Sequence, residues 1–567
     1  MQRLSVILIV TGLIFLQFLK INAQSDISIL AENEKATAML NTIILQNDFS
    51  AIVLSDNNNV VLNELYANGF IEAAIDSVVQ DNNVFIYYFY LGNQYVWERL
   101  AASQEVIIAL EHSGVRTSGF KGDEFDYKRV ITIFENVVTY FENHGYPFVT
   151  TRLDSIKIDE NKVSAFLAVD KGAYYEIDTV FFNNEDIVSR DFMLKTIDIK
   201  PGDAYSEKKI KEIKKRINNL EFLRMGDGFA VHFDTSKSWI DLSVKKRKSN
   251  SFDGVIGFYS DDKTGKIAFS GNINLKLMNS FKTGETLKFN WIRPQAGNQT
   301  LDLFYSQPYF FTTHFGGDYI FQLYRQDSSF TNVLNKPVIA YRFSSEDYIS
   351  IYGSHFLSQI SPFYADTNKR GFSTLSFGIG FSSNKLDYKL NPRKGYRVSF
   401  DTEAGKKVIK DDIDSGIESV STKAMMHLQG ELFIPVFGKS AFRIANQSAA
   451  ILNDNIFENE LFRIGGFKTL RGFDEEAIKA SAFSIMDFEY RLLIQQNSNL
   501  SIFYNIAFTE RNITDGYANI IYQGFGAGLS FDTGAGILSL YYAVGYQTGN
   551  PIVFRNSKIH FGYSARF

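Results

Sequence analysis

From about residue 250 to its last residue, the chain alternates apolar and polar side chains with a period of two. Ile267, Phe269, Ile273, Leu275 and Leu277 interleave with Lys266, Ser270, Asn272, Asn274 and Lys276. Leu287, Phe289 and Trp291 interleave with Lys288 and Asn290. At the end, Ile559, Phe561, Tyr563, Ala565 and Phe567 interleave with Lys558, His560, Gly562, Ser564 and Arg566. Successive side chains of a strand point to opposite faces, so each segment has one aromatic, apolar face and one polar face. A soluble sandwich would alternate as well. Membrane placement is favoured by strands of about ten residues, the length that crosses a bilayer at a tilt. The Phe, Tyr, Leu and Ile of the apolar face favour it too, as does a chain that ends on an aromatic inside a strand. At roughly 20 residues per strand and turn, 250–567 allows about sixteen strands. Closing them satisfies every backbone donor without leaving an edge in lipid. The expected architecture is an all-β transmembrane antiparallel barrel over 250–567. The composition agrees, with 52 Phe and 30 Tyr against 3 Trp.

The other end of the chain has the order of a secretory signal peptide. Arg3 precedes an apolar run, Leu4–Leu19, and Ile21-Asn22-Ala23 leads to a cut before Gln24. The run falls short of the ~20 apolar residues of a membrane-spanning helix. A signal peptide is therefore expected over 1–23. With no cysteine, the chain has no disulfide, thiolate metal site, cysteine nucleophile or lipidated cysteine. A net charge of −5 gives no reason to expect a nucleic-acid partner.

Residues 24–249 are α+β in texture and contain an internal repeat. The first copy has Leu62–Phe70, Asp76-Ser77, Asp81 and Gly92 leading into Tyr95. The second has Tyr140–Tyr146, Asp154-Ser155, Asp159 and Gly172 leading into Tyr174. A weaker third copy runs from Ile210 through Leu220–Phe229. In it Ile210, Ile213, Ile217 and Leu220 share a helical face, with Lys208, Lys211, Lys214 and Lys215 mostly opposite and Ser206 as N-cap. That basic face reads as a solvated one. Each copy closes as helix, turn, strand, strand, for example Ser155–Ile158 and Val163–Val169. The expected domains are 24–92, 93–172 and 173–249.

Inside the alternating region one stretch breaks the pattern. Phe462–Phe473, FRIGGFKTLRGF, carries Gly465, Gly466 and Gly472, which allow positive φ or close backbone approach. It lies between two alternating segments and is expected to be the loop that joins two strands. Arg471 in such a loop either points to water or presents its planar fork to a buried acceptor.

Three repeated α+β units followed by a sixteen-stranded barrel resemble the BamA/TamA superfamily of outer-membrane assembly proteins. The repeats resemble its POTRA domains, each β-α-α-β-β. Phe462–Phe473 resembles the family's sixth extracellular loop, which folds into the lumen and carries an Arg-Gly-Phe/Tyr motif. Here that motif is Arg471-Gly472-Phe473, preceded by Gly465-Gly466. The Leu390–Gly395 turn and the terminal strand ending in Phe567 add to the likeness. The resemblance implies acidic partners for the loop arginine on the inner wall. The matching positions are Glu489, in Met486–Arg491, and Asn505, in Phe503–Ala507. The chain departs from the family pattern twice there, with Asn505 for Asp and Ala507 for Gly. Asn505 accepts a hydrogen bond without bringing charge, so either the hold on Arg471 is looser or Glu489 carries the pairing alone.

No catalytic constellation emerges. The seven histidines are scattered without metal-ligand spacing, and neither a phosphate loop nor a Gly-x-Ser-x-Gly motif occurs. No enzyme activity, cofactor or metal is expected. The resemblance implies insertion or translocation of client proteins at the outer membrane, with N-terminal domains in the periplasm. Client strands would be captured on POTRA sheet edges and pass a lateral seam between Phe252–Tyr259 and Lys558–Phe567. Gly254, Gly257 and Gly562 deprive that seam of side-chain packing. Three tandem domains point to the TamA-like branch, whose partner is a large periplasmic TamB-like protein. Outer-membrane lipids are the surroundings. The alternatives are a two-partner secretion transporter, for which Ala31–Leu45 would be a lumen-plugging helix, and a passive porin.

Overall fold

The computed structural model describes residues 27–565, apart from 32–36, 38–39, 41–58, 82–83, 116–119, 236, 261–266, 294–297, 312, 327–328, 345, 362–368, 411–417, 514–515 and 534–535. The expected signal peptide over 1–23, most of Ala31–Leu45, and Phe567 lie outside the described residues.

Three α+β repeats come first. In the first, strands β1 (Ile27–Ala31), β2 (Ala74–Asp81) and β3 (Val84–Tyr90) form a sheet of order β1-β3-β2 beside the helix Asn59–Ala67. In the second, β4 (Val96–Ala102), β5 (Thr150–Asp159) and β6 (Lys162–Asp170) take the order β4-β6-β5, with helices Gln104–His112 and Tyr127–Glu142. The third holds β7 (Ile177–Phe182), β8 (Leu223–Met225), β9 (Ala230–Phe233), β10 (Ser238–Leu242) and β11 (Val244–Lys246), with helices Arg190–Ile197 and Glu207–Asn218. Its main sheet is β7-β10-β9, and β8 pairs with β11. In the first two repeats the opening strand runs parallel to the closing one, which the helices between them make possible.

The helices form for local reasons. Val130, Ile133, Val137 and Phe141 recur at helical spacing and are buried, packing with Trp97, Leu110 and Leu167. Asp126 caps that helix by accepting the Lys128 N–H at 2.8 Å. In the third repeat Ile210, Ile213 and Ile217 are buried as their spacing requires. The Ser206 cap works differently from the expected local one: Asn143 of the second repeat accepts both the Ser206 hydroxyl and the Lys208 N–H. A joint recurs between repeats. The Tyr95 N–H donates to the Gly69 carbonyl at 2.9 Å, and the Tyr175 N–H to the Gly145 carbonyl at 2.8 Å. Both glycines have positive φ, and in the second repeat the backbone bond is made by Tyr175, while the ring of Tyr174, the tyrosine the sequence repeat singles out, lies against Gly145.

The chain forms two compact units. One contains the first two repeats with 202–208 and 233–238, and the other contains the rest of the third repeat and the barrel. Within the second unit, the Ser189 N–H donates to the Lys282 carbonyl at 2.7 Å and Asn279 donates to the Ile187 carbonyl at 2.9 Å. The ring of Phe192 occupies the space beside Gly284.

The barrel opens with β12 (Ser251–Ser260), β13 (Ile267–Met278), β14 (Thr286–Arg293), β15 (Gln299–Gln307) and β16 (Phe315–Gln326). It continues with β17 (Phe330–Arg342), β18 (Tyr348–Ile360), β19 (Phe372–Asn384), β20 (Gly395–Lys410), β21 (Glu418–Pro435) and β22 (Ser440–Leu452). A long loop then carries the short pair β23 (Phe462–Ile464) and β24 (Ile478–Ala480). The wall resumes with β25 (Ala482–Gln495), β26 (Ser498–Ile513), β27 (Gly516–Asp532), β28 (Gly536–Gln547) and β29 (Lys558–Ala565). These make one 16-stranded antiparallel sheet, in chain order from β12 to β22 and β25 to β29. Burial is inverted relative to a soluble sheet. Leu375, Phe377, Ile379 and Phe381 are exposed on the outside, while Thr374 and Ser376, on either side of Leu375, are buried. The first and last strands approach each other. Among the described residues no ladder joins them, so the sheet is a near-closed barrel with β12 and β29 at its edges.

Candidate functional site: the lumen loop and its wall

The loop after β22 enters the barrel because its backbone finds a place cleared of side chains. Gly524 and Gly545 face each other on β27 and β28. The Arg471 carbonyl lies where a Cβ of Gly524 would be, and the Gly472 carbonyl where a Cβ of Gly545 would be. Gly472 itself has φ +96, and a Cβ there would lie 2.7 Å from the Gly545 nitrogen. Three glycines therefore let loop and wall backbones touch. Gly465 and Gly466 have φ +118 and +90 and turn the chain out of β23. The Thr469 hydroxyl closes this turn by accepting the Gly465 N–H at 2.8 Å.

Held this way, Arg471 is 6% exposed and uses its whole fork. Its Nη2 donates to Asp487 Oδ1 at 2.6 Å, its Nη1 to Glu489 Oε2 at 3.1 Å and its Nε to Asn505 Oδ1 at 3.1 Å. The guanidinium also stacks over Phe503, 3.7 Å from the ring centre. The expectation that Glu489 carries the pairing alone is corrected, since Asp487 takes the shortest of the three bonds. Asp487 and Glu489 both face the lumen from β25 because they are two residues apart. Arg491 continues that face and donates to Glu489 Oε1 at 2.8 Å. From β22, Arg443 bonds Asp487 and donates to Glu431 Oε1 at 2.7 Å, and Arg397 pairs with Glu431. The wall thus sets Arg397, Arg443, Arg471 and Arg491 against Glu431, Asp487 and Glu489. Asn505, fully buried on β26, stands where a fourth carboxylate would balance the set, and its amide nitrogen has no partner among the described residues. Ala507, the second departure, packs with Leu470 and Ile485.

The rest of the loop reaches the last strand. Phe473 packs edge-on against Tyr522 of β27. Phe467 packs on Tyr541 of β28, with its ring edge 3.5 Å from where a Cβ of Gly562 would be. The Gly472 N–H donates to His560 Nε2 at 3.2 Å, and Asp474 pairs with Lys558 at 2.7 Å. Of the expected seam positions, Gly562 lies on β29 beneath the loop. Gly254 and Gly257 lie on β12 opposite Ile273 and Ser270 of β13.

A second set of charges, absent from the sequence reading, holds the start of the loop. Glu460 has a fully buried side chain between Lys407 of β20 and Lys423 of β21, with the Lys423 contact at 2.7 Å. Asp487, Arg443 and Arg491 had a legible signal in the shared parity of β25 and of its neighbour. The alternating glycines 524, 526 and 528 were another, since such a row marks close approach. Lys407, Lys423 and Glu460 had none.

Residues 279–567, just over half of the chain, match the Omp85 superfamily domain. The chain belongs to the Omp85 superfamily, a class of outer-membrane β-barrels acting in protein assembly or secretion. CdiB from Acinetobacter baumannii is 13% identical over 93% of this chain and 99% of that one, with a TM-score of 0.51. CdiB from Escherichia coli is 12% identical over 91% and 98%, with a TM-score of 0.51. BamA from Haemophilus ducreyi lacking POTRA domains 1-3 is 16% identical over 84% of this chain and 100% of that one, with a TM-score of 0.43. At these identities the likeness is one of fold.

Proposed function

We propose that the protein inserts client proteins into the outer membrane through a lateral seam between β12 and β29, in the manner of the TamA-like branch. The N-terminal repeats lie in the periplasm and offer sheet edges to extended client segments. β2 and β5 are such edges, with Val78, Val79, Ile156 and Ile158 exposed along them. A large TamB-like periplasmic protein is the partner this branch implies, and the surrounding lipids admit the finished strands. The client's own folding supplies the free energy. The observation that carries the reading is that, among the described residues, β12 and β29 approach each other with no ladder between them. Unpaired backbone in lipid is costly, so this edge pair is the place where a client strand gains most by adding itself.

The chain has no cysteine, so one engineered cysteine in Val255–Phe258 and one in His560–Ser564 test the seam directly. Oxidation should crosslink chosen pairs, since a disulfide requires Cα atoms within about 7 Å. Client insertion into vesicles should stop on oxidation and return on reduction. Undiminished insertion with a locked seam rules out the gate and leaves export through the lumen, the two-partner secretion reading. High, steady ion conductance without any client effect is the porin outcome.

A further inference from the structure

The lumen loop is held at two places on neighbouring strands of the wall, β20–β21 and β25–β26, and the two holds differ in what they leave behind when broken. At the first, Glu460 accepts Lys407 and Lys423, whose side chains are 0% and 4% exposed. Lys407 also donates to the Asn455 carbonyl at 2.6 Å and sits 4.6 Å from the ring centres of Phe372 and Phe457. Asn459 beside it is fully buried. It donates to the Ser358 hydroxyl at 2.7 Å and the Arg370 carbonyl at 2.9 Å, and its own carbonyl accepts from Asn332 at 2.6 Å. Withdrawing Glu460 would leave two buried ammonium groups with no carboxylate among the described residues, the costly way to break a buried pair.

The second hold behaves oppositely. If Arg471 leaves, Asp487 keeps Arg443 and Glu489 keeps Arg491, so no wall charge is stranded, and the freed guanidinium enters the lumen. Phe467, Leu470 and Phe473 still pack on Tyr541, Ile485 and Tyr522, but the ties to β29 itself are weak ones: one hydrogen bond to His560, one ring beside Gly562, and the Asp474–Lys558 pair, whose side chains are 72% and 35% exposed. The positive-φ pair Gly465-Gly466 lies between the two holds.

We propose that Glu460, with Lys407 and Lys423, is a fixed pivot that positions the lumen loop, and that residues 465–475 are its releasable end, swinging off β29 at Gly465-Gly466. In this reading, which rests on the proposed seam, departure of the loop tip uncovers the inner face of the last strand when a client engages it. Glu460 is a positioning residue and touches no client.

Spin labels separate pivot from tip without any client. With labels at Asp454→Cys or Lys468→Cys in the full-length protein in vesicles, Arg471→Ala should mobilise the label at 468 and leave that at 454 unchanged. Glu460→Gln should mobilise 454. Mobilisation of both sites by Arg471→Ala means the loop moves as one body and overturns the pivot. A short, reducible bifunctional thiol reagent then supplies the functional arm. Bridging Arg463→Cys, on the stem side of Gly465, to Tyr324→Cys of β16, over whose ring it lies at 3.5 Å, should leave client insertion intact, whereas bridging Asp474→Cys to Lys558→Cys should abolish it until reduction. Loss of insertion from the stem bridge, or none from the tip bridge, overturns the proposal. If the β12–β29 lock has no effect on insertion, the seam reading falls, while the label experiment still decides the pivot.

Discussion

Glu489→Gln is the most informative single change, because one nearly isosteric substitution touches three guanidinium groups. Glu489 is 1% exposed; its Oε2 takes Arg471 at 3.1 Å and lies 3.6 Å from Arg443, and its Oε1 takes Arg491 at 2.8 Å. Glutamine keeps the shape but has one acceptor, and its amide turns two donors toward a site already crowded with donors. The four arginines then face Glu431 and Asp487 alone, so the local excess of positive charge grows. Arg471 retains Asp487 and Asn505 and loses one charge-assisted bond, a cost of about 1.5–3 kcal/mol. That corresponds to a loop-docking equilibrium weaker by roughly 10- to 150-fold. Leu470 of the loop is fully buried against the wall when the loop is docked, so Leu470→Cys makes the open fraction measurable as a maleimide labelling rate. Labelling of Leu470→Cys/Glu489→Gln should be faster than that of Leu470→Cys alone by a factor in this range. Heat-modified gel migration, which reports barrel closure, should remain unchanged. A rate within about threefold of the reference would show that Glu489 contributes little to docking, contrary to the ordinary worth of such a bond.

Other perturbations use the same readout. Arg471→Lys keeps charge but loses the fork that reaches Asp487, Glu489 and Asn505 together, so its labelling rate should fall between wild type and Arg471→Ala. Asn505→Asp supplies the fourth carboxylate and removes the unpartnered amide, and should slow labelling by a further factor of about ten, from roughly 1.5 kcal/mol of added charge-assisted bonding. Faster labelling would mean that desolvating the new charge outweighs its pairing. Gly472→Ala combines positive-φ strain of about 1–3 kcal/mol with a Cβ pressed on the backbone of Val544 and Gly545. It should open the loop at least as far as Glu489→Gln. Gly430→Ala, where a Cβ meets nothing within 4 Å, should be silent.

Alternation, the repeats and the glycine-hinged arginine were legible in the chain because each is a local pattern. A period of two dictates which side chains share a face, and that was enough to expect a lumen lined by polar groups. It also placed Asp487 with Glu489 and Arg491, although the reading stopped at Glu489. The helical stripes of the repeats were legible for the same reason, while the cap on Glu207–Asn218 was not, because Asn143 arrives from the preceding repeat.

What parity cannot say is which strand lies across the lumen, or at what height a side chain meets the loop. Those follow from register and closure, which depend on pairings summed around sixteen strands. Lys407 and Lys423 are neighbours by the β20–β21 register, and only the path of the loop brings Glu460 between them. Gly524 and Gly545 are ordinary strand glycines until the loop backbone is laid across them. The edge between β12 and β29 is likewise a property of the whole sheet. The sequence by itself indicated a barrel, three repeats and a glycine-hinged arginine loop, and the inward course of that loop came from the family resemblance. Only the tertiary structure decided how that loop is held, because the height at which it meets β20, β21, β25, β26 and β29 follows from strand register and the path of the loop.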